Sequence, residues 1–280
     1  MNEVTIRVPA TTANLGPGYD CLGIALQIYN RVTVSKAEGQ DSHSMVAAVA
    51  EKFFAKSGAA PFSITWKIEG DVPQSRGLGS SVTVRLGLLH GLNELAGRPL
   101  KAHDLFLLCA ELEGHPDNAA PGAFGGFTVA GGPEIARFEV AESLKFVLLI
   151  PNFEISTPAA RRVLPAQLDR LKAAESCANA CRITAAFASQ NYGLLQGAFT
   201  DHLHQPYREK ELLPFLSNVI SAGEMGGALG GFLSGSGSTI CCVTHINAGA
   251  VASAMLAATP GGNARTVITH ADNLGVRILE

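Results

Sequence analysis

Pro73-Gln74-Ser75-Arg76-Gly77-Leu78-Gly79-Ser80-Ser81 sets two glycines and two serines directly ahead of an apolar run with helical spacing. The first N–H groups of a helix have no internal acceptor, and the helix dipole adds partial positive charge there. Glycines let an anion approach those groups, and the hydroxyls of Ser80 and Ser81 add donors. The spacing fits neither the lysine-bearing P-loop nor the dinucleotide fingerprint. A plain serine cap behind a glycine loop would use the same residues. The helix is expected from about Ser80 to Leu95, stopping before Gly97.

Outward from this loop, Phe62, Ile64, Trp66 and Ile68 alternate with polar residues and predict a strand over 62–68. Val4 to Val8 and Asn30 to Lys36 read the same way. Helical spacing runs from Ser42 to Lys56 and from Ala102 to Glu113. The glycines and prolines of 114–133 predict a loop holding a short strand at Gly126 to Ala130. Lys145 to Ile150 is a continuous apolar strand, stopped by Pro151. Residues 157–225 are mostly helical, with breaks at Pro165, Pro206 and Pro214. Strand signals return at Ala228 to Leu233 and Thr239 to Thr244, then a helix at Ala248 to Ala258, then strands at Thr266 to Thr269 and Val276 to Leu279. The second half therefore reads β, α, β, β, α, β, the order of a ferredoxin-like domain. The expected class is α+β, in two domains of residues 1–145 and 146–280 with no flexible linker.

With 47% hydrophobic and 16% charged residues among 280, the chain has the opposite balance to a disordered one. A formal net charge of −3 gives no basic excess for a polyphosphate backbone, so nucleic acid is not expected as a partner. No apolar run approaches a membrane span, and Met1 to Val4 show no basic leader, so no membrane and a cytoplasmic location are expected. The six cysteines form no CxxC, which predicts reduced thiols. Cys177 and Cys181 share a helix face and are expected to be small buried thiols rather than a metal pair.

Two further segments carry glycine. Pro9-Ala10-Thr11-Thr12-Ala13-Asn14-Leu15-Gly16-Pro17-Gly18-Tyr19-Asp20 follows a strand and can bring Asn14 and Asp20 to one point. An ordinary turn would use the same residue types. Gly230-Gly231-Phe232-Leu233-Ser234-Gly235-Ser236-Gly237-Ser238-Thr239 joins two strands, as a simple hairpin also would.

Taken together, the three segments resemble the three motifs of the GHMP small-molecule kinases. Residues 9–20, Glu113-Gly114-His115-Pro116-Asp117-Asn118 with Ala120-Pro121, Ser156-Thr157 with Arg161 and Leu164-Pro165, and His204-Gln205-Pro206-Tyr207-Arg208 resemble the branch that phosphorylates homoserine. The matches run from residue 5 to about 240. The resemblance implies an S5-like first domain and a ferredoxin-like second one. It implies transfer of the ATP γ-phosphate to the hydroxyl of L-homoserine, with Mg²⁺, in a homodimer. Arg76, Gly77, Leu78, Gly79, Ser80 and Ser81 would then hold the nucleotide phosphates. Asn14, Asn118 and Arg161 would lie at the reacting centre. Asp20, Thr157, Arg208 and Gly235 would join them around the amino acid, with Asp20 near its ammonium. Arginine suits a carboxylate because its planar fork makes two parallel bonds.

Magnesium needs oxygen ligands, and one carboxylate beside phosphate oxygens suffices. Glu113 is the first candidate and Glu111 the second, with Ser81 adding a hydroxyl. His115, before a proline in a loop, is expected to be structural rather than a base. Asn118 stands where related kinases carry a basic Asp, and it cannot accept a proton. Catalysis by positioning and charge stabilisation is then implied, which phosphoryl transfer allows. The sequence departs from the family at Val82, Thr83, Arg85, Ser236 and Ser238, all around the nucleotide site. Another kinase of the family acting on a different hydroxy compound, or a non-catalytic binder, would share most of these residues.

Overall fold

The computed structural model describes residues 2–37 and 44–279. Strand β1 (Glu3–Ala13) and strand β2 (Leu22–Lys36) form a long antiparallel pair, from Glu3 opposite Ser35 to Ala13 opposite Gly23. The register shifts between Pro9 and Ala10, where proline withholds a ladder N–H. The far end of β2 pairs with β3 (Ile64–Gly70), and its start pairs with β4 (Phe127–Ala130), which pairs with β5 (Ile135–Phe138). Helices α1 (Ser44–Ser57), α2 (Ser80–Leu95), α3 (Ala102–Glu113) and the short α4 (Ala119–Phe124) complete this half. The expected start of α1 at Ser42 lies outside the described residues.

Strand β6 (Lys145–Pro151) opens a second, four-stranded antiparallel sheet with β7 (Gly230–Leu233), β8 (Ile240–Thr244) and β9 (Ala264–His270), in the order β7-β8-β6-β9. Between β6 and β7 run α5 (Thr157–Arg162), α6 (Arg170–Ser189), α7 (Gln205–Leu212) and α8 (Leu216–Met225); α9 (Ala248–Ala257) joins β8 to β9. This is the expected ferredoxin-like sequence of elements, and the class is α+β. Pro206 starts α7 instead of breaking it, as proline can in a first turn. The last strand, β10 (Arg277–Leu279), pairs with β1. The sequence reading counted it with the second half, but it returns to the edge of the first sheet.

Three apolar clusters hold this together. Ile6, Val8, Val32 and Val34 face α1, α2 and α3 on one side of the first sheet. Val147, Leu149 and Cys242 face α8 and α9. The third cluster is shared: Ala10, Leu22, Ile24 and Phe127 of the first sheet pack with Phe146, Leu148 and Ile150 of β6 and with Phe187 of α6. Strand β6 is buried on both faces, so it reads as an unbroken apolar run. No helix among the described residues is long and apolar enough to cross a membrane. All six cysteines are free, and Cys177 and Cys181 are exposed on α6, contrary to the buried thiols expected.

Candidate active site

A cleft of about 470 Å³ lies where the two halves meet. Its lining comes from the β1–β2 loop, the loop and first turn of α2, the end of α3 with the loop after it, α5, α7 and the β7–β8 loop. Every residue expected at the phosphate, amino acid and metal positions faces it, from Asn14 and Asp20 through Arg76 to Ser81, Glu113 and Asn118, to Thr157, Arg161, Arg208 and Gly235. Glu111, the second metal candidate, does not. It is exposed and ion-paired with Lys52.

The phosphate end is built by glycine. Gly79 is the N-cap of α2 at φ 66, and no side chain caps the first turn. A Cβ at Gly79 would lie 2.0 Å from Thr11 Oγ1, and one at Gly77 would lie 2.1 Å from the Ser234 carbonyl. The loop is thus pressed between β1 and the β7–β8 loop, with its N–H groups left for an anion. Thr83, Ser238 and Arg85, three of the departures from the family motif, have partners here. Thr83 Oγ1 accepts from Asn30 Nδ2 at 2.8 Å and donates to Ser80 O at 2.7 Å. Ser238 Oγ donates to Phe153 O at 2.6 Å. Arg85 forms an ion pair with Glu113.

Glu113 stands at the last turn of α3, where Ser81 Oγ donates to its Oε2 at 3.1 Å. Carboxylate and hydroxyl oxygens side by side, beside an anion-binding loop, are hard donors that fit Mg²⁺.

At the other end, Asn14 and Asp20 both take left-handed backbone, at φ 72 and 57, which short polar side chains tolerate. Asn14 Oδ1 accepts from Asp20 N at 3.0 Å, and its Nδ2 donates to Gly235 O at 2.9 Å. Its carboxamide therefore shapes the loop. Arg161 grips Asp20 with Nη2 at 2.9 and 3.0 Å and donates from Nη1 to Tyr19 Oη at 2.9 Å. Arg208 is buried and donates to the carbonyls of Ala160 and Gly235 at 3.1 and 2.8 Å. Its Nη1 also lies 3.1 Å from His204 Nδ1. None of these partners is anionic, and burial lowers the guanidinium pKa.

The sequence reading gave no role to Asp117 or Tyr19. Asp117 Oδ1 accepts from Asn118 N at 2.8 Å and lies 2.6 Å from His115 Nδ1. That bond raises the His115 pKa, and the ligand atoms of Asp20, His115 and Asp117 lie within 4.8 Å of one another. Tyr19 lies under both guanidinium groups, 5.6 Å from Arg161 and 5.5 Å from Arg208. An acidic residue in a glycine- and proline-bearing loop was the available signal for Asp117. Asn118 Oδ1 accepts from Thr11 Oγ1 at 2.6 Å, which holds it below the phosphate loop. The cleft is therefore cationic at one corner, acidic at another and open to a phosphate at its far end.

Comparison with known proteins agrees with this geometry. The GHMP kinases N terminal domain model matches residues 44–126, and the GHMP kinases C terminal model matches residues 183–260. Homoserine kinase of Clostridium botulinum strain Langeland is 38% identical over 252 residues, covering 85% of this chain and 84% of that protein. Homoserine kinase of Microchaete diplosiphon is 38% identical, covering 100% of this chain and 98% of its own. The crystal structure of homoserine kinase from Cytophaga hutchinsonii superposes with a TM-score of 0.90 at 23% identity, covering 100% of this chain and 98% of that one, and shares its fold. By motif, length and architecture, this chain belongs to the homoserine kinase family of the GHMP kinases.

Proposed function

We propose that this enzyme transfers the γ-phosphate of ATP to the side-chain hydroxyl of L-homoserine, forming O-phospho-L-homoserine for threonine synthesis. One observation carries the reading. A capless helix N-terminus and a buried guanidinium with only neutral partners face the same cleft. A buried cation without an anion is costly, and a substrate carboxylate relieves that cost.

Arg208 takes the carboxylate through Nη2, since Nε and Nη1 already donate to Ala160, Gly235 and His204. Asp20, with Asp117 and His115 beside it, takes the ammonium, and the Asp20–Arg161 pair opens to share the zwitterion. The hydroxyl then points toward Asn118 and the phosphate loop. Met45, Trp66 and Val84 add apolar surface to the same cleft, suited to a purine base. Glu113 and Ser81 would hold Mg²⁺, which supplies charge neutralisation at the transferring phosphoryl when bound. Asn118 cannot act as a base, so rate enhancement rests on alignment and charge stabilisation. A cytoplasmic homodimer completes the reading.

The test is ATP turnover with and without L-homoserine, with the product followed by phosphorus NMR. Homoserine-dependent turnover is expected, and the methyl ester of homoserine should be a poor acceptor. Equal turnover of the ester, or of a simple alcohol, would remove the carboxylate clamp from the reading. No turnover with any hydroxy compound would favour a binding role.

A further inference from the structure

We propose that Arg85 is a built-in counter-cation on Glu113 that weakens the site's hold on a divalent ion until a nucleotide arrives. This rests on the reading of Glu113 as the metal ligand. Arg85 lies four residues after Ser81 on α2, so the two side chains share a helix face. That face meets the end of α3, where Arg85 Nη1 pairs with Glu113 Oε1 while Ser81 Oγ donates to Oε2. Ser81 and Glu113 line the cleft, and Arg85 is not among its lining residues. The guanidinium therefore approaches the carboxylate from behind the cleft wall. Side-chain exposure is 20% for Arg85 and 9% for Glu113, so water screens the pair little. Arg85 Nε is buried with no hydrogen-bond partner, so the ion pair is the main polar contact on this guanidinium.

One carboxylate and one guanidinium sum to zero before any ion enters. A neutral site offers a free divalent ion little attraction. The triphosphate brings its own negative charge, so ion and nucleotide enter together. An arginine that only oriented Glu113 would act oppositely, because losing an orienting partner weakens metal binding, typically 10–100-fold.

Mn²⁺ binding to the nucleotide-free protein, read by electron paramagnetic resonance, separates the two. R85Q keeps a hydrogen bond to Glu113 and loses the charge; R85K keeps the charge. R85Q and R85L should bind Mn²⁺ about tenfold more tightly than wild type, the order expected when one nearby like charge is removed, and R85K should match wild type. The free Mg²⁺ needed for half-maximal turnover should fall in R85Q in parallel. Thermal melts confirm that each variant is folded. Equal or weaker Mn²⁺ binding by a folded R85Q overturns the counter-cation role. E113Q tests the underlying reading separately: it should abolish the gain when combined with R85Q. Tight Mn²⁺ binding by the R85Q/E113Q protein would instead show that Glu113 is not the ligand.

Discussion

Arg208 keeps a positive charge inside the protein, and His204 helps to aim it. His204 Nε2 lies 2.8 Å from the Gly16 carbonyl, which can only accept, so that nitrogen carries the proton. Nδ1 is then free to accept from Arg208, which requires a neutral ring. Burial pushes the His204 pKa down to about 4, so the ring stays neutral at ordinary pH. Removing Arg208 deletes charge-assisted bonds of roughly 1.5–3 kcal/mol. Arg208→Ala should therefore raise the homoserine KM about ten- to hundredfold, tenfold for each ~1.4 kcal/mol, with ATP affinity nearly unchanged. Arg208→Lys should also be impaired, since a single ammonium cannot hold Ala160, Gly235 and His204 and still reach a carboxylate. Arg161→Ala should cost less, because Arg161 is 40% exposed and already shared with Asp20. A wild-type KM in Arg208→Ala would defeat the clamp. The same burial fixes a pH dependence of stability. For His204 and for His90, also pushed to about 4, the unfolded chain takes up protons first as pH falls. Their contribution is whole above pH 6.5 and shrinks below it, by up to about 1.4 kcal/mol per pH unit for each group. His115, raised by its bond to Asp117, is intact below 6.5 and fades only as pH rises through its folded value. The thermal midpoint should thus fall from pH 6.5 to 5, above the ordinary carboxylate range. A flat midpoint over that window would show that the two histidines are not buried neutral. Arg208 was visible in the sequence because its motif names it. Asp117 stood inside a quoted motif without a role, because only the fold brings it and His115 beside Asp20, and Tyr19 matters through the distant Arg161 and Arg208.

Helix α2 carries the phosphate site, and Gly79 meets two separate demands there. Its left-handed backbone costs an L-residue about 1–2 kcal/mol, and a Cβ would collide with Thr11, the donor that holds Asn118. Gly97 isolates the first demand: at φ 85 it has nothing within 4 Å of its missing Cβ. Gly79→Ala and Gly97→Ala should both lower the thermal midpoint, but only Gly79→Ala should lose ATP binding by calorimetry. Normal ATP affinity in a folded Gly79→Ala protein would sink the phosphate loop. Elements with one wet face were legible in advance, as Ile64, Trp66 and Ile68 of β3 show. The start of β2 was not, because Leu22 to Leu26 are buried throughout and lose the alternation. Helix α4 hid behind its own proline and glycine, and it takes its place from packing beneath α2 and α3.

Across the whole molecule, the halves are joined too closely to act separately. They share one apolar cluster through β6 and α6. Polar ties cross at the cleft: Arg76 Nε donates to Pro151 O at 3.1 Å, Ser234 Oγ to Gly77 O at 2.6 Å, and Gly235 N to Ala13 O at 3.1 Å. Strand β10 then carries the chain's end back to β1, a pairing no local pattern could announce because its partner lies at the opposite end of the sequence. A shared core and a returned strand favour a single cooperative unfolding transition. Trp66, the sole tryptophan, sits on β3 and reports the first sheet, while far-UV circular dichroism reports both halves. The two signals should give one midpoint, and ATP should raise both together, because a ligand of the folded state stabilises whatever unfolds with its site. Truncation after Gly275 removes β10 and exposes the edge of β1, so it should lower both midpoints equally. A tryptophan transition separated from the dichroism transition, in either protein, would show that the sheets unfold independently and that the shared cluster does not couple them.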